Sequence, residues 1–416
     1  AACGADSPDE MITLVTKLAA LLKNCMPFAA DHEAVAGLAE DFDLVPDEEW
    51  EEDGWDLSRV CQMALIARDA AKDRDDQGRV SFDDMIFIPL VNKFARPWYS
   101  MVVVDEAQDM NYAQLLLAQR ACKKTGRIVV VGDDRQAIYG FRGADAGGLD
   151  RLKNDLNAKE LGLTTTYRCG KSIVEVAKKI VPDFAAAPSN PEGMVDKIEK
   201  DKLVATAKPG DFVLSRANAP LLPICLAFLK KGVRARIEGR DVAAGLRAIV
   251  SGFKARSVPD FIARVEGWQK KQEARALKIK KLDARQAKLD TIADQAEMLV
   301  ALAEGCASIA EILTRVETLF GDSVEGAPKN AVVLSSVHRA KGLETDRVFI
   351  LSETIRDNTV EEKNIYYVAV TRARKHLTWV GERKKRRSRM AMSAYILYST
   401  SMSTRRTSSR SPPVLA

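Results

Sequence analysis

The stretch Met101-Val102-Val103-Val104-Asp105-Glu106-Ala107-Gln108-Asp109 constrains this chain more than any other, because a short apolar run ends abruptly in a pair of acids. Such a run is expected to form a strand buried on both faces of a parallel sheet. Open α/β sheets bind ligands just beyond the carboxyl ends of their strands, where Asp105 and Glu106 would project. In a nucleoside triphosphate site one such carboxylate holds Mg2+, usually through its waters, and the next positions the water that attacks the γ-phosphate. Taken alone, the same letters also describe a strand followed by a solvated acidic turn.

A second apolar run decides between these readings. Ile128-Val129-Val130-Val131 opens into the loop from Gly132 to Asp145, which is rich in glycine and polar groups and carries two aromatics. Between the runs, Asn111 to Thr125 contains Leu115, Leu116, Leu117 and Ala118, which suit a crossover helix. The whole reads as a βαβ unit with chemistry at both strand ends.

These residues resemble the UvrD/Rep-like DNA helicases of superfamily 1. There DExxD closes the Walker B strand and the next motif runs GDxxQxIYxxRGA, which Gly132 to Ala144 reproduces. Further along, LTTTYRCGKS from Leu163 to Ser172 is similar to the motif with a Tyr-Arg pair. The segment VVLSSVHRAKGLETDRVFIL from Val332 to Leu351 is similar to the one with His and Lys-Gly-Leu-Glu. NIYYVAVTRARKHL from Asn364 to Leu377 is similar to the terminal YVAxTRA motif, and upstream Val80 to Met85 resembles the FDDL segment. The matches run in order from about residue 80 to residue 382.

The resemblance implies a role for each motif. Asp105 would hold Mg2+ and Glu106 the attacking water, while Gln136 would sense the γ-phosphate. Arg168 and Arg372 would contact that phosphate, and planar guanidinium donors suit its oxygens. Tyr167 would stack on adenine, Glu344 would accept from a ribose hydroxyl, and Lys341 and Gly342 would line the same nucleotide site. Tyr139 and Phe141 would stack on the bases of single-stranded DNA, with Arg142 and His338 as phosphate or base contacts. The family usually has tryptophan at Phe141, so a weaker base grip is implied. Singly, each residue also admits a structural reading, with the arginines in surface ion pairs and the aromatics in a core.

One family part is missing. No G-x-x-x-x-G-K-[ST] phosphate loop occurs in the 416 residues. Gly170-Lys171-Ser172 is a poor substitute, since the first glycine of such a loop would fall at Thr165. The chain is therefore expected to be a fragment lacking the start of its first motor domain.

Composition narrows the setting. No apolar run approaches the ~20 residues needed to span a bilayer. Cys3, Cys25, Cys61, Cys122, Cys169, Cys225 and Cys306 form no CxxC pair and are odd in number, which points to reduced thiols and a cytoplasm, bacterial or phage-infected. The net charge of +5 does not by itself indicate nucleic acid, because residues 383–416 hold nine Lys or Arg and no acid, leaving the rest net acidic. Asp73 to Asp84 outlines a calcium loop with Gly78 at its sixth position. However, Gln77 and Asp84 stand where stronger ligands belong, and the resemblance already accounts for the FDD part.

The expected fold is α/β, with two RecA-like parallel-sheet motor domains of the P-loop NTPase type and helical insertions. Residues 1–75 would be the remainder of a helical insertion, and 76–163 the partial first motor domain. The second motor domain would occupy 164–250 and 328–382, split by a helical insertion at 251–327 and followed by a basic, disordered tail at 383–416. In that insertion Leu289, Ile292, Ala296, Leu299 and Ala303 repeat at 3-4-3-4 spacing, the seam of a helix packed on a partner. The lysines and arginines from Lys270 to Lys288 could touch duplex DNA, or form a solvated face. The implied activity is ATP- and Mg2+-dependent 3′–5′ translocation on single-stranded DNA and single-strand/duplex junctions. The alternatives are a non-catalytic DNA-binding remnant and the motor part of a helicase–nuclease.

Overall fold

In a computed structural model the described residues are 8–28, 30–46, 50, 53–72, 78–138, 148–279, 282–320 and 330–382. Helices α1 (Asp9–Cys25), α2 (His32–Asp41) and α3 (Leu57–Ala70) form first. Apolar residues recurring every three or four positions give α1 one buried stripe, Met11, Leu14, Val15, Leu18 and Leu22. That stripe closes on Val35, Ala39, Trp55, Val60 and Ala64. Asp31 and Asp56 cap α2 and α3 by accepting from the backbone amides of Ala34 and Arg59.

Helix α4 (Asp84–Val91), strand β1 (Tyr99–Val104), helix α5 (Tyr112–Ala121), strand β2 (Cys122–Val130) and helix α6 (Gly148–Asp155) follow. Asn111 and Gln114 cap α5 reciprocally. β1 and β2 pair in parallel with Val102, Val103 and Val104 opposite Ile128, Val129 and Val130, as the crossover reading expected.

Two expectations need correction here. β1 is not buried on both faces: Val104 is buried, but Met101 and Val103 are 55% and 62% exposed, and Val129 and Val131 are partly exposed beside them. Successive side chains on a strand point to opposite faces. α5 packs on β1 from one side, and among the described residues nothing covers the other. β2 also begins at Cys122, well before the apolar run at Ile128. Lys123 and Lys124 join the strand with an irregular register, and Gly126 fits because a Cβ there would lie 2.7 Å from the Cys122 sulfur.

The second unit runs through β3 (Thr165–Thr166), α7 (Lys171–Ala177), β4 (Ala185–Ala186), β5 (Met194–Ile198), α8 (Leu203–Thr206), β6 (Phe212–Ser215), α9 (Leu221–Lys230) and β7 (Ala235–Ile237). After helices α10 (Arg240–Gly252), α11 (Val258–Ala276), α12 (Leu282–Ala303) and α13 (Ile309–Phe320), it returns as β8 (Val332–Ser336), α14 (Val337–Ala340), β9 (Thr345–Leu351), α15 (Val360–Val370) and β10 (Ala373–Val380). Six strands pair in parallel in the order β5-β10-β9-β6-β8-β7, and β3 pairs with β4. The central strands β6 and β8 are buried along their whole length, covered on both faces, and are mostly apolar. Along β6, Val213 joins one core with Phe228, Phe261 and Leu299, while Phe212 and Leu214 join the opposite core with Ile173, Ile365 and Val368.

The helical excursion folds back on its neighbours. On α12, Ile292, Ala296, Leu299 and Ala303 are buried, the seam read from their spacing. Asp294 accepts from the Asn218 and Ala219 amides at 3.0 and 2.7 Å. Arg275 reaches Glu10 of α1 and Lys288 reaches Asp43 just after α2, each at 3.0 Å, so part of the basic face is occupied by acids of the first helical region. Among the described residues no helix is long and apolar enough to cross a membrane. The tail at 383–416 and residues 73–77 of the calcium-like segment lie outside the described residues.

Candidate nucleotide and nucleic-acid site

The chain leaves β1 through a strained turn. Glu106 sits in the left-handed region at φ 51°, ψ 38°, which costs a non-glycine residue on the order of 1 kcal/mol or more. Neighbouring bonds hold it there. Asp105 Oδ1 accepts from the Glu106 amide at 2.9 Å, and the Ala107 amide donates to the Val131 carbonyl at 3.1 Å. Gln108, only 3% exposed, donates to Glu106 Oε2 at 2.5 Å and accepts from the Asp133 amide at 3.0 Å. Gln108 thus yokes the ends of β1 and β2, and Gly132 lies against it, where a Cβ would lie 2.8 Å from its side-chain oxygen and displace it. Nothing in the spacing of the letters singles out this glutamine. Asp105 and Glu106 themselves are exposed. Two open carboxylates at a strand end fit Mg2+, which takes one or two carboxylates and completes its shell with water and phosphate oxygens.

Beyond β2, Asp133 shapes a single 3-10 turn, Asp134–Gln136, accepting from the Arg135 amide at 2.9 Å and from Gln136 Nε2 at 2.8 Å. The second unit grips this turn. Lys341 Nζ donates to the Gln136 carbonyl at 2.6 Å and to both carboxylate oxygens of Asp109 at 2.8 and 2.6 Å. Its side chain is 7% exposed. Asn364 donates to the carbonyls of Asp134 and Ala137 at 3.1 and 3.0 Å. The buried Tyr367 hydroxyl bonds the Asp133 carboxylate; burial first, and that carboxylate second, hold it protonated.

The two arginines stand differently. Tyr167 is 80% exposed, and Arg168 beside it pairs with Glu344, which also lies 3.6 Å from Arg374. Arg372 is 1% exposed and donates to the carbonyls of Val368 at 2.9 Å and Leu343 at 3.2 Å and to the Thr371 hydroxyl at 3.1 Å. A surface ion pair is therefore the wrong structural alternative for Arg372. Burial, and then the nearby Arg168, draw its pKa down, though a guanidinium remains charged. Cys169 lies in the same pocket, and burial pushes its thiol up to about 11.

The structure thus brings Arg168, Arg372 and Glu344 together, and Gln136 with Lys341. Gly342 follows Lys341 at φ 80°, and His338 lies half-buried in α14. Tyr139, Phe141 and Arg142 lie outside the described residues. Gly170-Lys171-Ser172 is no phosphate cradle, because its three amides donate to the carbonyls of Arg374, Pro191 and Glu192.

Comparison with known proteins identifies the family. A family model described as the UvrD/REP helicase N-terminal domain matches residues 60–157, and one described as the UvrD-like helicase C-terminal domain matches 228–382. Together they cover more than half of the chain, which belongs to the UvrD-like helicase family of α/β motor proteins. It is 27% identical over 315 residues to F-box DNA helicase protein 1 of Schizosaccharomyces pombe, covering 67% of this chain and 33% of that protein. It is 34% identical over 111 residues to ATP-dependent DNA helicase Rep of Buchnera aphidicola, covering 24% and 17%. The corresponding figures for ATP-dependent DNA helicase PcrA of Staphylococcus epidermidis are 32% over 117 residues, covering 28% and 16%. The chain thus spans at most 33% of the length of these relatives.

Proposed function

We propose that this chain supplies the acid turn, phosphate sensor, arginines and DNA-facing loops of an ATP-dependent DNA helicase that translocates 3′ to 5′ on single-stranded DNA. The observation that carries the reading is the junction at Lys341. One lysine of the second unit meets both Asp109 of the acid turn and the carbonyl of Gln136, so the motifs of the two units converge on one place.

In this reading Asp105 ligates Mg2+, which neutralises charge on the transferring phosphoryl group. Glu106 orients water, Gln136 contacts the terminal phosphate, and Arg168 and Arg372 offer charge from the second unit. Tyr167 takes the adenine and Glu344 a ribose hydroxyl, with Lys341 and Gly342 bordering the phosphates. Tyr139, Phe141, Arg142 and His338 face the DNA strand or its junction with duplex. The domain limits proposed from the sequence place a split second motor domain around the helical insertion. The phosphate loop is contributed by polypeptide other than these 416 residues, and the uncovered apolar face of β1 and β2 supports that division.

The test is DNA-stimulated ATP hydrolysis and strand displacement by the parent polypeptide carrying that loop. Both should vanish in Asp105→Ala, and Arg168→Ala should lower kcat by about 10³ or more, the range for arginine fingers. A parent without a phosphate loop that binds DNA but hydrolyses no ATP would establish the non-catalytic alternative.

A further inference from the structure

Gln136 belongs to the first unit by sequence, yet the second unit holds it. Of the carbonyls around it, those of Asp134 and Ala137 accept from Asn364 and its own from Lys341. Ile138, next along the chain, is fully buried in the core that contains Ile173, Val337 and Tyr367 of the second unit. Tyr367 lies one helical turn beyond Asn364 on α15, on the same face, and bonds Asp133 at the start of the turn. From Asp133 to Ile138, this segment is anchored to the opposite unit.

The chemistry at Asn364 is specific. Its amide nitrogen faces two carbonyls, so the orientation is fixed by the need for two donors. Asn364 is 5% exposed, and among the described residues its oxygen has no hydrogen-bond partner. Leaving a buried acceptor unmade is unfavourable, which is understandable where the two donors serve the turn.

We propose that Asn364 is a positioning residue for Gln136. With Lys341 it forms a clamp, so the phosphate-sensing turn is set by the approach of the second unit and not by β2 alone. The link to phosphate sensing rests on the function proposed above; the clamp itself does not.

Hydrogen exchange on the full chain without nucleotide tests the clamp. Asn364→Asp keeps the shape but sets carboxylate oxygens against two carbonyls. Amides of residues 133–138 should exchange about tenfold faster or more, with β6, β8 and β9 unchanged. Unchanged exchange in 133–138, or acceleration spread evenly over the second unit, overturns the proposal. Should the buried carboxylate unfold α15, Lys341→Met should loosen the same segment together with Asp109, and no change there overturns it equally. In nucleotide titrations of the parent polypeptide that carries the phosphate loop, Asn364→Asp should lower the preference for a non-hydrolysable triphosphate over the diphosphate about tenfold, the scale of a charge-assisted contact, with diphosphate affinity retained. Equal loss for both would mark Asn364 as merely structural and overturn its role toward Gln136. A wild-type parent polypeptide carrying the phosphate loop that binds neither nucleotide, while the turn of the variant loosens, sinks the nucleotide reading and supports the clamp.

Discussion

Arg372→Ala separates a structural arginine from a poised one. The wild-type guanidinium makes three hydrogen bonds, to Val368 and Leu343 carbonyls and the Thr371 hydroxyl, at 1% exposure. Bonds from a charged donor contribute roughly 1.5–3 kcal/mol each. Against them stands the desolvation of the charge, several kcal/mol in a buried site, made worse by the neighbouring Arg168. Truncation recovers that penalty but leaves a cavity beneath α15 and removes the donor to Leu343. The balance should be a loss of about 2–4 kcal/mol, at the upper end for single substitutions. Urea unfolding of the full chain measures it as a lower midpoint at unchanged slope. Arg372→Lys should recover less than half, since an ammonium cannot reproduce the planar fork. A stability equal to or above wild type in Arg372→Ala would refute this reasoning. The guanidinium would then be held at a cost to the fold, for a ligand.

Three further outcomes follow from the same structure. Burial acts to raise the pKa of Asp84, but bonds from Lys23 at 2.6 Å and from Ser81 at 2.8 and 2.7 Å outweigh it and hold the carboxyl below its ordinary 3.8. A depressed folded value means stability present above 3.8 and lost as pH falls below it; Asp84→Asn should flatten that acid limb, and an unchanged limb in acid unfolding curves would count against the pairing. Gly170→Ala should destabilise measurably in thermal melts, because its Cβ would lie 2.8 Å from the Gly193 backbone; an unchanged melting temperature refutes the close approach. Burial raises the thiols of Cys169 and Cys225 to about 11 and about 12, so at pH 8 a thiol reagent should modify them only on unfolding, whereas Cys25, Cys122 and Cys306 are partly exposed. Rapid native labelling of Cys169 or Cys225, located by peptide mapping, would contradict their burial.

Backbone chemistry at strand ends was legible in the sequence because it is local. Apolar runs ending in Asp105-Glu106 and Gly132-Asp133 require no knowledge of distant residues, and both turns lie where such runs place them. The repeat along α12 was readable for the same reason. Which face of β1 is covered was not, since consecutive valines are apolar toward both sides and only a neighbour decides which side is dry. Gln108 and Asn364 were harder still. Gln108 bonds the Asp133 amide, and both partners of Asn364 are backbone carbonyls, which leave no trace in residue identity; Asn364 meets Asp134 across 230 positions. The burial of Arg372 was not legible either, because its acceptors, too, are mostly carbonyls.

Under the proposed function, the pairing of charges at the site bears on how these residues would take up a phosphate. Arg168 already pairs with Glu344 and Lys341 with Asp109, so neither cation stands uncompensated. A triphosphate reaching them exchanges one anion for another. The number of charge-assisted bonds is then nearly conserved, and net affinity from these cations is small even though each bond is strong. Binding energy must come from donors with no prior partner, such as the backbone amides of a phosphate loop, and from apolar surface such as exposed Tyr167.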